Sequence, residues 1–504
     1  MAEPLPEQRI LRAARGVDPT GIFRNRGVVV RTGDGVARVA GLESVAFEEL
    51  VRFDSGALGM AFDLRASGTD VLLLSGAEKV RAGEGVVGTG RLPDLPVGPA
   101  ILGRVVDPLG EPIDGLGPLP AEPRLELFRA APELIERKPV DEPLHTGVLV
   151  VDAAIPIGRG QRELVIGDRN VGKTAVAEDV IVAQRAGDVA CVYVMIGQAM
   201  TRVQALRETL RRAGALQNTA IVAAEASLPP GMRYLAPYAG ASVAEWFRDQ
   251  GGHALVVYDD LTKHADAYRE LSLLLDRPPG REAFPGDVFF IHAELLERAA
   301  ARSPAAGGGS VTAIPIVETT ENDIAAYIPT NIISITDGQI YLDAGRFARG
   351  ERPAVDIGRS VSRIGGAAQP TAMRRAARNL RIQQSRFEEL ESISRVGLDL
   401  EAGVEQELAR GRVLRAILQQ GRLMPRGILD QVIAVYSVFE GWLEGATPDE
   451  APERVASLVA RVRAAEPSVA ASLDRGELPD AGWLDRIHRL VDTRAPRRAG
   501  GEPK

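Results

Sequence analysis

The sequence has one cysteine, five lysines and no long apolar run. Cys191 stands alone, so no intramolecular disulfide can form, and its place in the apolar run ACVYVMI reads as a buried strand thiol. No uninterrupted apolar run reaches the roughly eighteen residues of a membrane span, and MAEPLPEQRILRAARG at the start lacks an apolar h-region. A cytosolic chain that neither spans a membrane nor carries a secretory signal is expected. His145, His253, His264, His292 and His488 are scattered without metal-ligand spacing, and none reads as a ligand. The net charge of -8 opposes binding along a phosphate backbone, so no nucleic-acid partner is expected.

Against this arginine-rich background, Lys173 stands out from Lys79, Lys138, Lys263 and Lys504 by its setting. The run Leu164-Val165-Ile166 leads into Gly167-Asp168-Arg169-Asn170-Val171-Gly172-Lys173-Thr174, and a helix-forming segment follows. This is the P-loop pattern G-x-x-x-x-G-K-[ST] between a strand and a helix. The two glycines let backbone N–H groups turn inward toward phosphate oxygens at a helix N-terminus. Lys173 is suited to the β- and γ-phosphates as a compact point charge, and the Thr174 hydroxyl to Mg²⁺. ATP or ADP with Mg²⁺ is therefore the expected cofactor.

At 504 residues the chain should divide into about three domains. The spacing predicts an arm over 1–24, a β-barrel over 25–97, a nucleotide-binding P-loop domain over 98–370, a helical domain over 371–493 and a disordered tail over 494–504. In the barrel stretch, Val28 to Arg31 and Val36 to Val39 flank Gly33-Asp34-Gly35 as a hairpin, and Leu50 to Phe53 and Val71 to Leu74 continue the series. Pro93, Pro96, Pro108, Pro112, Pro118 and Pro120 then mark an extended connection. Strand-like runs follow at Leu164 to Ile166, Ala190 to Ile196, Ala220 to Ala223, Ala254 to Tyr258, Val311 to Ile316 and Ile332 to Ile335. They alternate with helix-like segments, as in a parallel sheet covered on both faces. RPPGREAFPGD, Arg277 to Asp287, reads as an exposed loop. Beyond about Thr371, apolar residues recur at three-to-four spacing on charged segments and predict a helical bundle. The fold class is thus a multidomain chain: an N-terminal barrel, a central α/β P-loop (RecA-like) domain and a C-terminal helical bundle.

A second acid for Mg²⁺ is expected at the end of a neighbouring apolar strand, and Ala254 to Asp260 supplies it, with Asp259 the better candidate. Thr174 and Asp259 would hold the metal, partly through water. The strand ending in Ile196 runs into Gly197-Gln198. A glutamine amide positions water but accepts no proton at neutral pH, so a site built on Gln198 would bind ATP and turn it over poorly.

Over nearly its whole length the chain resembles the alpha subunit of an F-type ATP synthase. The match is carried by PIGRGQRELVIGDRNVGKT (156 to 174), YLAPYAG (234 to 240), VVYDDLTKHADAYRELSLLLDRPPGREAFPGDVF (256 to 289), AAYIPTNIISITDGQIYL (325 to 342) and RPAVDIGRSVSRIGGAAQ (352 to 369). The resemblance implies an alternating hexamer of alpha and beta subunits around the central stalk gamma subunit. It also implies a peripheral stalk with its delta subunit and a membrane ion-channel sector that moves H⁺ or Na⁺. The location it implies is the cytoplasmic face of the bacterial inner membrane. Catalysis would belong to the beta subunit, and Arg363 and Ser334 would be contributed to that site, Arg363 as its arginine finger. Arg352 and Pro353 match positions that flank the base of alpha's own nucleotide, and Gln420 one of a glutamine pair beside it. The loop Arg277 to Asp287 matches the collar that touches the stalk.

The chain departs from that pattern at Asn170-Val171, where Gln-Thr is usual, and at Arg422, where the second glutamine is expected. Ala199-Met200-Thr201-Arg202 is also unusual, and the N-terminal arm and the connection Gln184 to Val189 are short. These features suit a divergent alpha, of the kind a second rotary ATPase operon would carry. The alternative is a self-sufficient homohexameric ATPase motor. A carboxylate after Gly197 would favour an export type, and an aromatic, basic barrel surface a helicase; the barrel stretch offers only Phe47, Phe53 and Phe62. Retention of Lys173, Thr174 and Asp259 argues against a paralogue that has lost nucleotide binding.

Overall fold

The computed structural model describes residues 25–121, 123–394 and 402–491. The expected N-terminal arm and disordered tail lie outside these residues. Six strands form a closed antiparallel barrel: β1 (Arg26–Gly33), β2 (Val36–Ala40), β3 (Leu50–Phe53), β4 (Leu58–Arg65), β5 (Gly68–Ser75) and β6 (Gly85–Gly88). Gly33 pairs with Val36 across the two-residue turn Asp34-Gly35, whose φ values are 52° and 84°. A type I′ turn needs both central residues at positive φ, which is why Asp-Gly fits there. One face of the strands fills the barrel with Val29, Val39, Val51, Phe53, Val71 and Val86. The other face of β4 and β5 (Met60, Phe62, Leu72, Leu74) packs on the next domain.

That domain is an eight-stranded sheet. In chain order its strands are β7 (Val105–Val106), β8 (Glu163–Asp168), β9 (Val189–Gln198), β10 (Thr219–Glu225), β11 (His253–Asp259), β12 (Ser310–Thr319), β13 (Gly338–Leu342) and β14 (Val361–Ser362). Their spatial order is β14-β13-β8-β12-β11-β9-β10-β7, parallel except for β14, which runs antiparallel to β13. Both faces are covered, so β9 and β11 read as near-continuous apolar runs instead of alternating ones. Helices α1 (Leu149–Ala154), α2 (Lys173–Ala183), α3 (Met200–Arg212), α4 (Pro230–Asp249), α5 (Leu261–Leu274), α6 (Val288–Glu297), α7 (Tyr327–Ile335) and α8 (Ala344–Ala348) accompany the sheet.

Two expectations change here. Ile332 to Ile335 is not a strand but the end of α7. Ile328, Ile332 and Ile335 are buried at helical spacing, and Pro329 sits in the first turn, where its missing N–H leaves no bond unmade. The strand expected there is β13, a few residues later. The proline-marked connection also contains structure: Asp94–Pro96 pairs with Arg124–Glu126, and Val105–Val106 forms the sheet edge as β7. Arg277 to Asp287 is a loop with one short 3-10 turn, largely exposed apart from Phe284 and Pro285.

From Thr371 on, the described residues form helices α9 (Thr371–Ala376), α10 (Leu380–Ser394), α11 (Ala402–Leu418), α12 (Ile428–Phe439), α13 (Ala451–Ala465), α14 (Pro467–Asp474) and α15 (Trp483–His488). Their core, centred on the buried run Leu429 to Val438 of α12, is continuous with the apolar face of α1 and α2. No helix among the described residues is long and apolar enough to cross a membrane.

Candidate functional site

The C-terminal ends of the parallel strands gather the expected residues. Gly167 to Thr174 turns from β8 into α2, with Asn170 at φ 65° and Gly172 at φ 102°. Helix α2 is buried on nearly every side, including Val176, Ala177, Val180 and Ile181, which fixes its N-terminus firmly behind the loop. Lys173 is 6% exposed. Its Nζ donates to the carbonyls of Gly167 at 2.8 Å and Asp168 at 2.6 Å and lies 3.9 Å from Glu318 Oε1. Burial lowers its pKa, opposed by the carboxylates of Glu318, Asp260, Asp259 and Asp168.

The Thr174 hydroxyl donates to Asp259 Oδ2 at 3.2 Å, and the fully buried Tyr193 hydroxyl donates to the same oxygen at 2.8 Å. Burial, reinforced by Asp259, raises the Tyr193 pKa and keeps it a donor. Asp260 turns away from this pair and caps α5 by accepting the Lys263 N–H at 2.8 Å. The Asp168 side chain also turns outward from the loop, accepting from Thr319 Oγ1 at 2.5 Å and from the Asn322 N–H at 2.9 Å. It thereby ties the P-loop to the end of β12. Arg169 is exposed, 3.9 Å from Glu318.

Gln198 is buried at the end of β9. Gly197 before it has φ 60°, and a Cβ there would lie 3.5 Å from both Arg233 and Lys263. On the other flank of the P-loop, Phe347 lies 3.9 Å from the position a Cβ on Gly172 would take. The Arg352 guanidinium stacks 3.4 Å from the Phe347 ring centroid, with Pro353 next in chain. Gln420 is tied down completely. Its amide nitrogen donates to the carbonyls of Gly147 (2.7 Å) and Met424 (2.9 Å), and its Oε1 accepts from the Leu149 N–H at 3.1 Å.

Arg363 and Ser334 sit elsewhere. The Arg363 N–H bonds the Asp337 carbonyl at 2.8 Å, just before β13 begins, and its guanidinium donates to the Ile333 carbonyl at 3.4 Å. Ser334, the next residue, is exposed beside it. Gly338 pairs with Glu163 and Leu342 with Gly167, so Arg363 lies at the opposite end of β8 and β13 from the P-loop.

Residues 147–362 match the nucleotide-binding domain of the ATP synthase alpha/beta family, and residues 369–493 match the C-terminal domain of its chains. The chain is 49% identical to ATP synthase subunit alpha of Aquifex aeolicus over 427 residues, 85% of each chain. It is 49% identical to that of Caldanaerobacter subterraneus over 447 residues, 89% of this chain and 88% of the relative. For Limosilactobacillus fermentum the value is 47% over 461 residues, 91% and 90%. The chain belongs to the alpha subunits of F-type ATP synthases. That membership carries with it a nucleotide-binding domain and a place in a multisubunit ATP synthase, and it disfavours the self-sufficient homohexamer.

Within this alpha-subunit frame, the structure adds residues the sequence did not single out. Glu318 ends an apolar strand, as Asp259 does, and that pattern was available to find it. Tyr193 and Phe347 carry no local signal. Arg422, at the departure from the usual glutamine, pairs with the buried carboxylate of Glu178 on α2, Nε donating at 2.8 Å. The Leu423 N–H donates to Asp179 one residue on, at 2.5 Å. Burial raises the Glu178 pKa, and Arg422 opposes the shift.

Proposed function

We propose that this chain holds ATP or ADP with Mg²⁺ in a non-catalytic, regulatory site of its own and lends Arg363 to the catalytic site of a neighbouring beta subunit. The observation that carries this reading is the distance between the two. Asp337, to which Arg363 is bonded, directly precedes β13, and Leu342, beside Gly167, ends it five positions later, which is about 16 Å at the usual strand rise. An extended arginine side chain falls short of that span, so Arg363 serves a phosphate bound by another chain. Its exposure, with Ser334 beside it, suits an interface.

In the chain's own site, the N–H groups of Gly167 to Thr174 and the N-terminus of α2 face the phosphates, with Lys173 as the point charge. Thr174 Oγ1 and Asp259 Oδ2, hard oxygens 3.2 Å apart, fit Mg²⁺, with Asp259 acting partly through water. Bound there, the ion would neutralise phosphate charge. Arg352, Pro353 and Gln420 border the base, with Phe347 joining them. Gln198 stands where a general base would be needed, and its amide accepts no proton.

The partners that follow are the beta subunit in an alternating hexamer, the gamma subunit of the central stalk facing Arg277 to Asp287, and a peripheral stalk with its delta subunit. Coupling to H⁺ or Na⁺ flow would pass through the membrane sector, with this chain peripheral on the cytoplasmic face. Reconstitution with a beta subunit tests the reading. Arg363→Ala should cut ATP turnover of the assembly roughly 10³-fold or more while leaving MgATP affinity of the isolated chain unchanged. An assembly that stays fully active would refute the finger.

A further inference from the structure

The turn between the short strand Pro143–Leu144 and α1 carries a histidine whose two ring nitrogens both face acceptors. His145 Nδ1 lies 3.1 Å from Asp152 Oδ2, and Nε2 lies 2.8 Å from the Arg426 carbonyl. Asp152, on α1, is buried and already accepts from the Thr146 N–H (2.9 Å), Thr146 Oγ1 (2.7 Å), the Gly147 N–H (3.0 Å) and Gln431 Nε2 (2.7 Å). A carbonyl has no proton to give, and a carboxylate in this setting has none either. A neutral imidazole owns one N–H and can serve only one of the two, whereas the imidazolium serves both.

Arg426 closes a segment that runs along the P-loop helix. Besides the Gln420, Arg422 and Leu423 bonds already described, the Gln420 N–H bonds the Arg352 carbonyl at 2.8 Å and the Arg426 N–H bonds the Gly147 carbonyl at 2.9 Å. Residues 420–426 therefore touch α2 one turn beyond Thr174, Arg352 beside Phe347, and the turn that holds His145. We propose that His145 is a positioning residue of the nucleotide site. Its imidazolium bridges Asp152 and Arg426 and holds residues 420–426 against the P-loop helix, and loss of its proton loosens that segment and weakens nucleotide binding.

The charged surroundings favour the proton. Burial works to lower the His145 pKa, but the Asp152 carboxylate and the Arg426 carbonyl outweigh it, and the pKa lies above its ordinary value of 6.5. Asp152 is the ionised group that faces the ring. The Arg426 guanidinium is turned to the carbonyls of Ile417 and Gln419, and the other side chains around the small cavity beside the ring, among them Ile157, Pro370, Met373, Ile428 and Gln431, are uncharged. A raised pKa means that the clasp is complete below 6.5 and is lost as pH climbs through the higher folded-state value.

The inference rests on the nucleotide reading above, and the experiment separates the two. MgATP affinity of the full chain is measured calorimetrically from pH 6 to pH 9 for the native protein and for His145→Gln. The native protein should lose roughly five- to tenfold more affinity across that range than the variant, because other groups titrate equally in both. By reciprocity, MgATP should raise the midpoint of the His145 ring resonances by about 0.7 to 1 pH unit in the native protein, a readout that needs no variant. Parallel pH profiles, or a His145 midpoint unmoved by MgATP, would overturn the inference while leaving the nucleotide site standing. No MgATP binding at any pH would overturn both.

Discussion

Thr174 Oγ1 and Asp259 Oδ2 meet at 3.2 Å although β8, which leads through the P-loop to Thr174, and β11, which ends at Asp259, are not neighbours: β12 runs between them. Two oxygens brought together across an intervening strand suit a shared cation. Asp259→Asn should therefore remove most of the gain in ATP affinity that Mg²⁺ provides, while affinity in a chelator stays within about twofold of the native value. Calorimetric titration with and without Mg²⁺ checks this, and an undiminished Mg²⁺ effect would count against Asp259 as the metal acid. The magnitude expected for one charged oxygen contact is roughly 1.5–3 kcal/mol.

Glu163 gives a prediction about pH. Its carboxyl is fully buried at the start of β8, accepts from Gln161 Nε2 at 2.7 Å, and leaves Oε1 without a partner among the described residues. Burial first, and then the nearby Asp337, raise its pKa well above 4.5. A group raised in the folded state contributes stability below its unfolded pKa that is lost as pH rises through the folded value. Glu163→Gln should thus be more stable than the native chain at pH 8, by roughly 1–3 kcal/mol, with the gap closing toward pH 4.5. Urea unfolding at both pH values decides it, since a pH-independent difference is incompatible with this account.

Arg298 and Glu245 supply a stability prediction away from the site. Both are about 1% exposed, joined by bonds of 3.0 and 2.8 Å, and Arg298 also donates to the Leu127 carbonyl at 2.7 Å and to Ser242 Oγ at 2.9 Å. Breaking a buried pair from one side leaves a charge without its main partner. Arg298→Met should cost about 3–5 kcal/mol. Arg129, 2.9 Å from Glu245, offsets part of this loss, so a value near the lower bound is expected. A change below about 1 kcal/mol would show that Arg129, together with Arg248 at 3.6 Å, suffices for Glu245.

Arg422 tests the departure from the usual pattern. Its guanidinium covers the buried Glu178 carboxylate on the P-loop helix. Arg422→Gln should weaken MgATP binding and lower the melting temperature together. The double variant with Glu178→Gln should recover much of the stability, because the uncompensated carboxylate is gone. Failure of that recovery would assign Arg422 a contact other than Glu178.

The parts of this molecule that were legible in the sequence are those whose signals are local. Gly167 to Thr174 is a contiguous motif, Asp34-Gly35 dictates its own turn, and Asp259 follows an apolar run. Strand order is not local: Glu318 shares the apolar-run signal of Asp259, but its position near Lys173 emerges only with β12 beside β8, and that of Tyr193 only with β9 beside β11. Ile332 to Ile335 misled because β-branched residues favour strands, whereas burial at positions 328, 332 and 335 favours a helix, and packing prevailed. The two residues of β7 are too few to show any period. The His145 clasp depends on Arg426, 281 positions away, and no spacing rule reaches that far.

The measurement that bears most directly on the account is MgATP binding and turnover by the purified chain, with Lys173→Ala alongside. The account predicts binding without steady turnover in the native chain and loss of binding by a factor of roughly ten to one hundred in the variant, as expected for removing a buried charged donor. Sustained hydrolysis by the chain alone would contradict it, because Gln198 would then be sufficient as a water-positioning group and no partner would be needed for catalysis.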